Sequence, residues 1–411
     1  MKKKILVLAL SLLITLAACG QTPGSGSSAA PAEASQPASS SEQVAGDFDG
    51  EIVIGSILDT SGNMAVAGQA TVWGADYAVN EINENGGIGG KKLRIVHYDV
   101  KGDPNEAINA YNRLVDQDKA VAVVGPGLSN IGIALAPIAE QKKVPIVSHF
   151  MDERATTNEQ TGEAWKYIFL AEPSCNQQAE AIASYTVEEL KVKTAAVLYD
   201  SSNAYSVTHA IPFKEYCQAN GVEIVAEESF GKDAKDYKAQ ISKIIAAKPE
   251  AVFVPAYVQQ NALAYKQLRQ LGYTGLVVGN NTYNQPFNTL IEGVSPEGLY
   301  FIFNVDYSSE YTKFLGDAYK AAKNGEEPQI NVAFGYDNVK IIANALAMSQ
   351  DTSDTEALAD IIANKTVEVM TASGPITLDP KTHRPVGMGV YISQWDEKAE
   401  SVNLLQYYMA K

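Results

Sequence analysis

The chain of 411 residues carries a formal net charge of −16 at pH 7, and 46% of its residues are hydrophobic. This length exceeds what one compact core usually holds, so we expect two domains. The acidic balance argues against nucleic acid and anionic lipid surfaces as partners, because both bind basic protein surfaces.

The first residues have the pattern of an export signal. Lys2 to Lys4 form a positive start, and an apolar run of about 12 residues follows from Ile5 to Leu16. A membrane-spanning helix needs ~20 apolar residues, so this run is too short to be one. Leu16-Ala17-Ala18-Cys19 resembles the lipobox of bacterial lipoproteins, in which the cysteine becomes the first mature residue. We therefore predict a lipoprotein signal peptide over 1–18 and lipidation of Cys19.

The segment that follows the cysteine is predicted to be a flexible tether. Gln21 to Gly46 holds almost no large apolar side chains, so burial cannot offset the entropy of ordering it. A coil of this length reaches about 30 Å. We assign 19–49 to the lipidated cysteine and the tether, and expect the protein at the extracytoplasmic face of the cell membrane.

The two remaining cysteines, Cys175 and Cys217, both fall on predicted helices. Pairing and separate burial are both open, because their separation in space cannot be derived from their positions in the chain. Neither their spacing nor that of the four histidines matches a metal site, and we predict no metal and no cofactor.

From Glu51 onward, short apolar strands alternate with helices. Asp103, Pro104 and Glu106 supply the N-cap, first-turn proline and capping-box residue of one helix. Continuous apolar strands with helical crossovers predict a parallel sheet that is covered on both faces. The strands are expected at 52–58, 93–96, 120–124 and 144–147, and the helices at 69–85, 104–116 and 130–141.

A second series with the same alternation begins after Pro173, which predicts two doubly wound sheets in tandem. Its helices are expected at 174–190, 206–219, 236–247 and 260–271, and its strands at 195–199, 222–226, 251–255 and 276–279. The C-terminal part adds strands at 299–303, 375–378 and 389–395 and helices at 309–323 and 331–349.

Several segments carry a family resemblance through their order and spacing. They are Ile54-Gly55 to Ser61-Gly62, Gly74 to Asn83 with Asn85 to Gly90, Asp99 with Asp103-Pro104, Val123 to Pro126, Leu198 to Asp200 with Tyr205, and Phe334 to Asp337. The chain thereby resembles the Leu/Ile/Val-binding family of periplasmic-binding-protein-like receptors, the substrate-capturing subunits of ABC importers.

The resemblance implies an α/β fold of two Rossmann-like, doubly wound lobes joined by three hinge strands, the type I periplasmic binding protein fold. Lobe 1 would comprise 50–170 plus 303–384, and lobe 2 would comprise 171–302 plus 385–411. Ligand would lie in the cleft between the lobes and favour their closure.

Candidate ligand contacts on lobe 1 follow two strands, because ligands of open parallel sheets bind beyond the carboxyl ends of strands. Ser129 and Asn130 begin a helix whose free amides suit a carboxylate, and Ser129 aligns with the family's carboxylate-binding serine. Phe150, Met151 and Asp152 follow the strand at 144–147, where the family holds the carboxylate and ammonium of an amino acid. Asp152 departs from the usual small hydroxyl residue.

On lobe 2 the resemblance implies contacts at Tyr205, Tyr257 and Asn281, where the family places two aromatic residues and an acidic partner for the ammonium. Asn281 is a second departure, since an amide does not pair a cation as a carboxylate does. Either Asp152 has taken over the ammonium, or the ligand lacks one.

Tyr336 and Asp337 would add a contact from lobe 1, and Tyr283 would add to the aromatic walls. Each candidate has a plain alternative. The tyrosines can be packing residues, the Ser129-Asn130 pair can be a simple N-cap, and Asp337 can cap or pair within its own lobe.

No enzyme motif is complete. The segments at Ser129 and Ser295 each miss the hydrolase elbow by one residue, and the glycines from Gly125 lack the third of a dinucleotide fingerprint. We predict a monomeric solute-binding lipoprotein that is not an enzyme and delivers an amino acid or similar small polar ligand to ABC permease and ATPase subunits. The alternatives are a sensor of the same fold that reports to a membrane signalling partner, and a structural surface lipoprotein. Aromatic amino acids, aliphatic amides and small organic acids are all open as ligands.

Overall fold

Strands and helices alternate through residues 48–232 and 234–409, the parts of the chain that the computed structural model describes. The predicted signal peptide, Cys19 and most of the predicted tether lie outside them. The strands are β1 Glu51–Leu58, β2 Lys92–Asp99, β3 Val123–Val124, β4 Ile146–Ser148, β5 Ile168–Leu170, β6 Thr194–Asp200, β7 Glu223–Phe230, β8 Ala251–Val254, β9 Leu276–Gly279, β10 Leu299–Phe303, β11 Val369–Thr371, β12 Gly374–Asp379, β13 Arg384–Val386, β14 Gly389–Trp395 and β15 Val402–Met409. The helices are α1 Ala65–Glu84, α2 Pro104–Asp116, α3 Ser129–Lys142, α4 Cys175–Glu188, α5 Ala204–Ala219, α6 Lys238–Ala247, α7 Val258–Gln270, α8 Phe287–Leu290, α9 Lys313–Ala322, α10 Ile330–Met348 and α11 Thr355–Lys365.

The first five strands form one parallel sheet in the order β2-β1-β3-β4-β5, called the first sheet below. Its central strands are buried on both faces because helices cover each side, which explains why they are apolar throughout. β3 is shorter than expected, although Val121 and the carbonyl of Ala122 still bond to the backbone of β1.

The second sheet has the order β15-β14-β10-β9-β8-β6-β7. Its five strands from β10 to β7 are parallel, and β14 and β15 add antiparallel pairs at one edge. A small antiparallel sheet, β11-β12-β13, completes the strands. The edge strand β15 was not predicted, since several of its side chains face solvent and its pattern is not apolar.

The chain crosses three times between the second sheet and the layer around the first sheet: after β5, after β10, where it continues to α10 beside α1 and β4, and between β13 and β14. The predicted fold class, an α/β arrangement of two doubly wound sheets, is confirmed. Helix α11 was missed, whereas β10 and β14 have the predicted bounds.

Local signals start several helices where they were expected. The Asp103 carboxylate accepts hydrogen bonds from the amides of Asn105 and Glu106, and Pro104 occupies the first turn of α2. Ser174 and Gln177 form a reciprocal capping box at the start of α4.

Helices α1 and α10 pack closely against each other through two glycines. A Cβ atom at Gly74 would lie 1.9 Å from the carbonyl oxygen of Val332, and one at Gly335 would lie 2.0 Å from that of Thr71. No larger residue fits at either position, because the obstacle is backbone. This contact fixes where α10 begins, and hence the side chains near its start.

Cys175 on α4 and Cys217 on α5 are both buried, and in the described part of the chain neither forms a disulfide. The question of pairing is therefore resolved in favour of separate burial. Among residues 48–232 and 234–409, no helix has the length and apolar character needed to cross a membrane.

Candidate ligand-binding cleft

A cavity of about 60 Å³ lies between the carboxyl ends of the two large sheets. Its walls come from loops that follow β1, β3 and β4 of the first sheet and β6, β8 and β9 of the second, and from the start of α10. The lining residues are Asn63, Met64, Val66, Ala67, Gly127, His149, Met151, Tyr205, Tyr257, Val258, Gln259, Asn281, Thr282, Asn284, Gln285, Pro286, Gln329, Ile330, Asn331 and Phe334.

On the first-sheet wall, His149 follows β4 and is held by α10. Its Nδ1 accepts a hydrogen bond from the Asn338 amide at 3.2 Å, and its ring lies 5.3 Å from that of Phe334. Burial lowers the pKa of His149 to about 4, so the ring is neutral at pH 7. Gly127 permits this placement, since a Cβ atom there would lie 2.8 Å from His149 Nε2.

On the second-sheet wall, Tyr205 and Tyr257 stack with their ring centroids 5.1 Å apart. The Asn203 side chain caps α5 by accepting from the Tyr205 amide, which sets the first turn of that helix. The Tyr205 hydroxyl donates to Asn281 Oδ1 at 2.5 Å. Burial raises the pKa of both phenols, so they remain neutral hydrogen-bonding groups.

A chain of hydrogen bonds continues from Asn281 into the protein. Asn281 Nδ2 donates to Asn304 Oδ1 at 2.9 Å, and Asn304 Nδ2 donates to Glu172 Oε2 at 3.3 Å. Glu172 is completely buried, and burial together with the nearby Asp337 raises its pKa well above the usual range. Glu172 and Asn304 follow β5 and β10, at two of the three crossings.

Four predicted contacts are brought together in the cavity lining: Met151, Tyr205, Tyr257 and Asn281. Met151 Sδ lies 3.3 Å from Asn281 Nδ2, so this pair joins the two walls.

Ser129 and Asn130, the two predicted contacts at the start of α3, lie in different surroundings. Ser129 is buried in the first turn of α3, and its hydroxyl has no hydrogen-bond partner within the described residues. Asn130 is exposed and lines an adjoining groove, where its Oδ1 accepts from the amide of Ala204 at 2.9 Å. Neither is part of the cavity lining, and their contact with ligand stays a prediction.

The side chains of Asp152 and Phe150 contact other groups of the protein. The buried Asp152 carboxylate pairs with Arg154 at 2.6 Å and accepts from the Thr208 hydroxyl at 2.8 Å. The Phe150 ring packs against Gly132 of α3 and is fully buried. Both residues lie outside the cavity lining, so a role for either in binding also stays a prediction.

Tyr336 and Asp337 are held within the layer around α10. The Tyr336 hydroxyl donates to both carboxylate oxygens of Glu81, at 2.9 and 3.0 Å. The Asp337 carboxylate accepts from the amides of Ala372 and Ser373, while burial raises its pKa to about 7. Tyr283 donates to the carbonyl of Val254 at 3.1 Å inside the second-sheet core. These three side chains do not line the cavity.

The lining includes residues that were not predicted, among them Met64, His149, Asn284 and Gln329. Met64 and His149 follow β1 and β4, so the rule that sites lie beyond strand ends was sufficient to find them. Gln329 precedes α10 and is brought to the cavity by helix packing, for which the sequence carries no local signal.

Comparisons with known proteins agree with this architecture. A family model described as periplasmic binding protein matches residues 51–400. Leu/Ile/Val-binding protein homolog 3 of Brucella melitensis is 28% identical over 329 residues, which cover 80% of this chain and 87% of that protein. A leucine-, isoleucine-, valine-, threonine- and alanine-binding protein of Pseudomonas aeruginosa is 29% identical over 322 residues, covering 78% and 84%.

Two solved structures are similar over nearly their whole length. LivJ of Streptococcus pneumoniae, a branched-chain amino acid transporter substrate-binding protein in complex with isoleucine, has 29% identity and a TM-score of 0.77, covering 86% of this chain and 99% of that one. The leucine-binding protein LivK of Thermotoga maritima has 26% identity and a TM-score of 0.79, covering 87% and 99%.

The chain belongs to the periplasmic binding protein family. The similarity to Leu/Ile/Val-binding proteins confirms the resemblance drawn from the sequence motifs. Because these relatives are solute-binding proteins, the expectation that the chain is not an enzyme is also confirmed.

Proposed function

We propose that the protein is the solute-binding lipoprotein of an ABC importer and captures an amino acid or similar small polar molecule in the cleft. The observation that carries this proposal is a cavity to which both sheets contribute walls, with Met151 from one side and Tyr205, Tyr257 and Asn281 from the other. A site divided in this way couples ligand binding to the relative position of its walls.

The predicted lobe boundaries form part of this proposal. All strands of the first sheet fall in 50–170, and strands β6 to β9 fall in 171–302. Strand β10 ends at the second boundary, Phe303, and β14 begins four residues after the third. These positions support lobes that move about the three crossings.

The lipid anchor at Cys19 and the ABC partners rest on the sequence pattern and on family membership. The transporter relatives favour delivery to a permease and ATPase over the alternative, a receptor that reports to a membrane signalling partner. Uptake assays with a strain that lacks the gene distinguish these two roles, and detergent extraction of the membrane fraction tests the anchor.

The binding site is tested by two alanine variants of the mature chain. The first step is to identify the molecule carried through purification by mass spectrometry. Its affinity is then measured by titration calorimetry for wild type, Ser129→Ala and Tyr257→Ala. Loss of the aromatic wall at Tyr257 is expected to weaken binding at least tenfold, about 1.4 kcal/mol. Ser129 lies outside the cavity lining, and an equal loss in Ser129→Ala would extend the ligand site to the start of α3.

Ser308→Ala and Tyr311→Ala, which change exposed residues, are the matched controls and should bind as wild type. Unchanged affinity in Tyr257→Ala would refute this placement of the ligand. A purified protein that carries no small molecule and gains no thermal stability from any candidate would refute solute binding itself.

A further inference from the structure

The cavity lining is uncharged. Among the described residues that form it there is no aspartate, glutamate, lysine or arginine. Its one histidine, His149, is neutral at pH 7 because burial lowers its pKa to about 4. Charged side chains line the adjoining groove toward solvent instead, where Asp59, Lys101 and Asp200 are found.

The nearby buried carboxylates lie outside the cavity lining, and each accepts at least one hydrogen bond from another protein group. Asp152 is bonded to Arg154 and Thr208, and Asp337 to two backbone amides. Glu172 Oε2 accepts from Asn304, whereas its Oε1 is buried without a hydrogen-bond partner among the described residues, and Glu172 is not part of the cavity lining. A cationic ligand group in the cavity would therefore lose its hydration without gaining a carboxylate in exchange, which is unfavourable.

Neutral amide side chains take the place of charged groups in the lining, among them Asn284 and Gln329. The side-chain oxygens of Asn284 and Gln329 are buried, and neither has a hydrogen-bond partner within the residues the structure describes. The orientation of Asn284 is fixed, because its Nδ2 donates to the backbone oxygen of Asn281. A buried oxygen without a partner is rare in proteins and indicates that a donor is supplied from elsewhere.

Asn281 adds a third amide oxygen to the lining, and the orientation of its amide is also fixed. Its Nδ2 donates to Asn304, which is itself oriented by donating to Glu172, so its Oδ1 accepts from Tyr205. Because an amide oxygen has two lone pairs, Oδ1 can accept a second hydrogen bond from a ligand. His149 provides a complementary donor: with the Asn338 amide oriented as in the structure, Asn338 Nδ2 donates to His149 Nδ1 and the proton of the neutral ring is on Nε2.

We propose that the cavity binds an uncharged N–H donor of the carboxamide class, and that Asn281 excludes free amino acids. The amide oxygens accept from the ligand's N–H groups, and His149 donates to its carbonyl oxygen. A cavity of about 60 Å³ holds about four water molecules, which suits a molecule of few non-hydrogen atoms. This inference rests on the proposed function, since it names the solute of the same cleft.

Three ligands of nearly equal size but different charge test this inference: propionamide, alanine and propionate. Leucine is the fourth probe, because a relative of this chain is named as a leucine-binding protein. Their affinities are measured at pH 7 by calorimetry on the mature chain after removal of co-purified ligand. We expect propionamide to bind at least tenfold more tightly than each of the other three. If alanine, leucine or propionate binds as tightly, the inference is wrong although the proposed solute-binding function stands.

Asn281→Asp tests the specificity role by placing a carboxylate in the wall. We expect the variant to bind alanine at least tenfold more tightly than wild type does and to bind propionamide less tightly. Asn324→Asp adds the same charge at an exposed position and should leave all four affinities unchanged. An unaltered preference in a folded Asn281→Asp protein overturns the role of Asn281. If no probe binds wild type, the inference also fails, and the mass spectrometry above then decides the proposed function separately.

Discussion

At the scale of single residues, burial in and around the cleft shifts the pKa of several titratable groups toward their neutral forms. His149 and His209 both have their pKa lowered to about 4 because the charged ring is poorly solvated inside the protein. Glu172 and Asp337 have their pKa raised for the same reason. The proposed binding mode therefore uses hydrogen bonds rather than free charges.

A pH prediction follows for His209, whose Nδ1 lies 2.8 Å from the carbonyl oxygen of Tyr205. The unfolded chain binds a proton at pH 5 on a histidine of pKa about 6.5, whereas the folded chain does not until pH falls to about 4. Stability is therefore lost as pH falls through this window. When the pH falls from 7 to 5, burial of neutral His209 should lower the free energy of unfolding by about 2 kcal/mol.

The measurement compares wild type with His209→Asn, in which an amide can still donate to Tyr205. Urea unfolding at pH 7 and pH 5 should show that wild type loses about 2 kcal/mol more than the variant between the two pH values. The comparison of pH dependences cancels the opposing contributions of Glu172 and Asp337. An equal loss in both proteins would contradict neutral burial of His209.

At the scale of elements, the contact between α1 and α10 determines where the start of α10 lies relative to the cavity. α10 carries Phe334 and Asn338 against His149, and Gln329 immediately precedes it. The two glycines at the crossing allow the helix backbones to approach closely, so the position of α10 depends on residues that do not touch the cavity.

Gly335→Ala should be strongly destabilising, because its new Cβ atom would overlap the carbonyl oxygen of Thr71. We expect a loss of about 3 kcal/mol in the free energy of unfolding, measured with urea. Gly231→Ala is the matched control, since among the described residues no atom lies within 4 Å of its added Cβ. The control should change stability by less than about 0.5 kcal/mol. Similar values for the two variants would show that the helices do not meet as closely as described.

At the scale of the whole molecule, direct hydrogen bonds join the two sides of the cleft beside the cavity. The Thr208 hydroxyl on α5 donates to Asp152 after β4, and Asn130 on α3 accepts from the amide of Ala204. These bonds stabilise the arrangement in which the walls are close, and they involve no residue of the cavity lining.

Thr208→Val removes one of these bonds while keeping the shape of the side chain. We expect the closed arrangement to become less populated and the affinity for ligand to fall about five- to tenfold, since one such bond contributes about 1 kcal/mol. Calorimetry measures the affinity, and small-angle scattering should show a larger radius of gyration for the free variant. Thr289→Val, at an exposed position of the second-sheet side, is the control. Equal affinity and radius in Thr208→Val and wild type would mean that this bond does not favour closure.

The sequence by itself determined the repeated alternation of strands and helices, the starts of α2 and α4, and the family. These features depend on local chemistry: continuous apolar runs, N-caps and first-turn prolines act over a few residues. It also indicated Tyr205, Tyr257 and Asn281, because these residues lie at or beyond the ends of parallel strands.

Only the tertiary structure decided which candidates line one cavity and which have protein partners. Asp152 and Asp337 have the same sequence signals as ligand contacts, yet Arg154, Thr208 and two backbone amides occupy their carboxylates. The uncharged lining likewise emerges only when loops from two sheets and the start of α10 meet. Contacts between residues far apart in the chain set the direction of each side chain, and no local pattern encodes them.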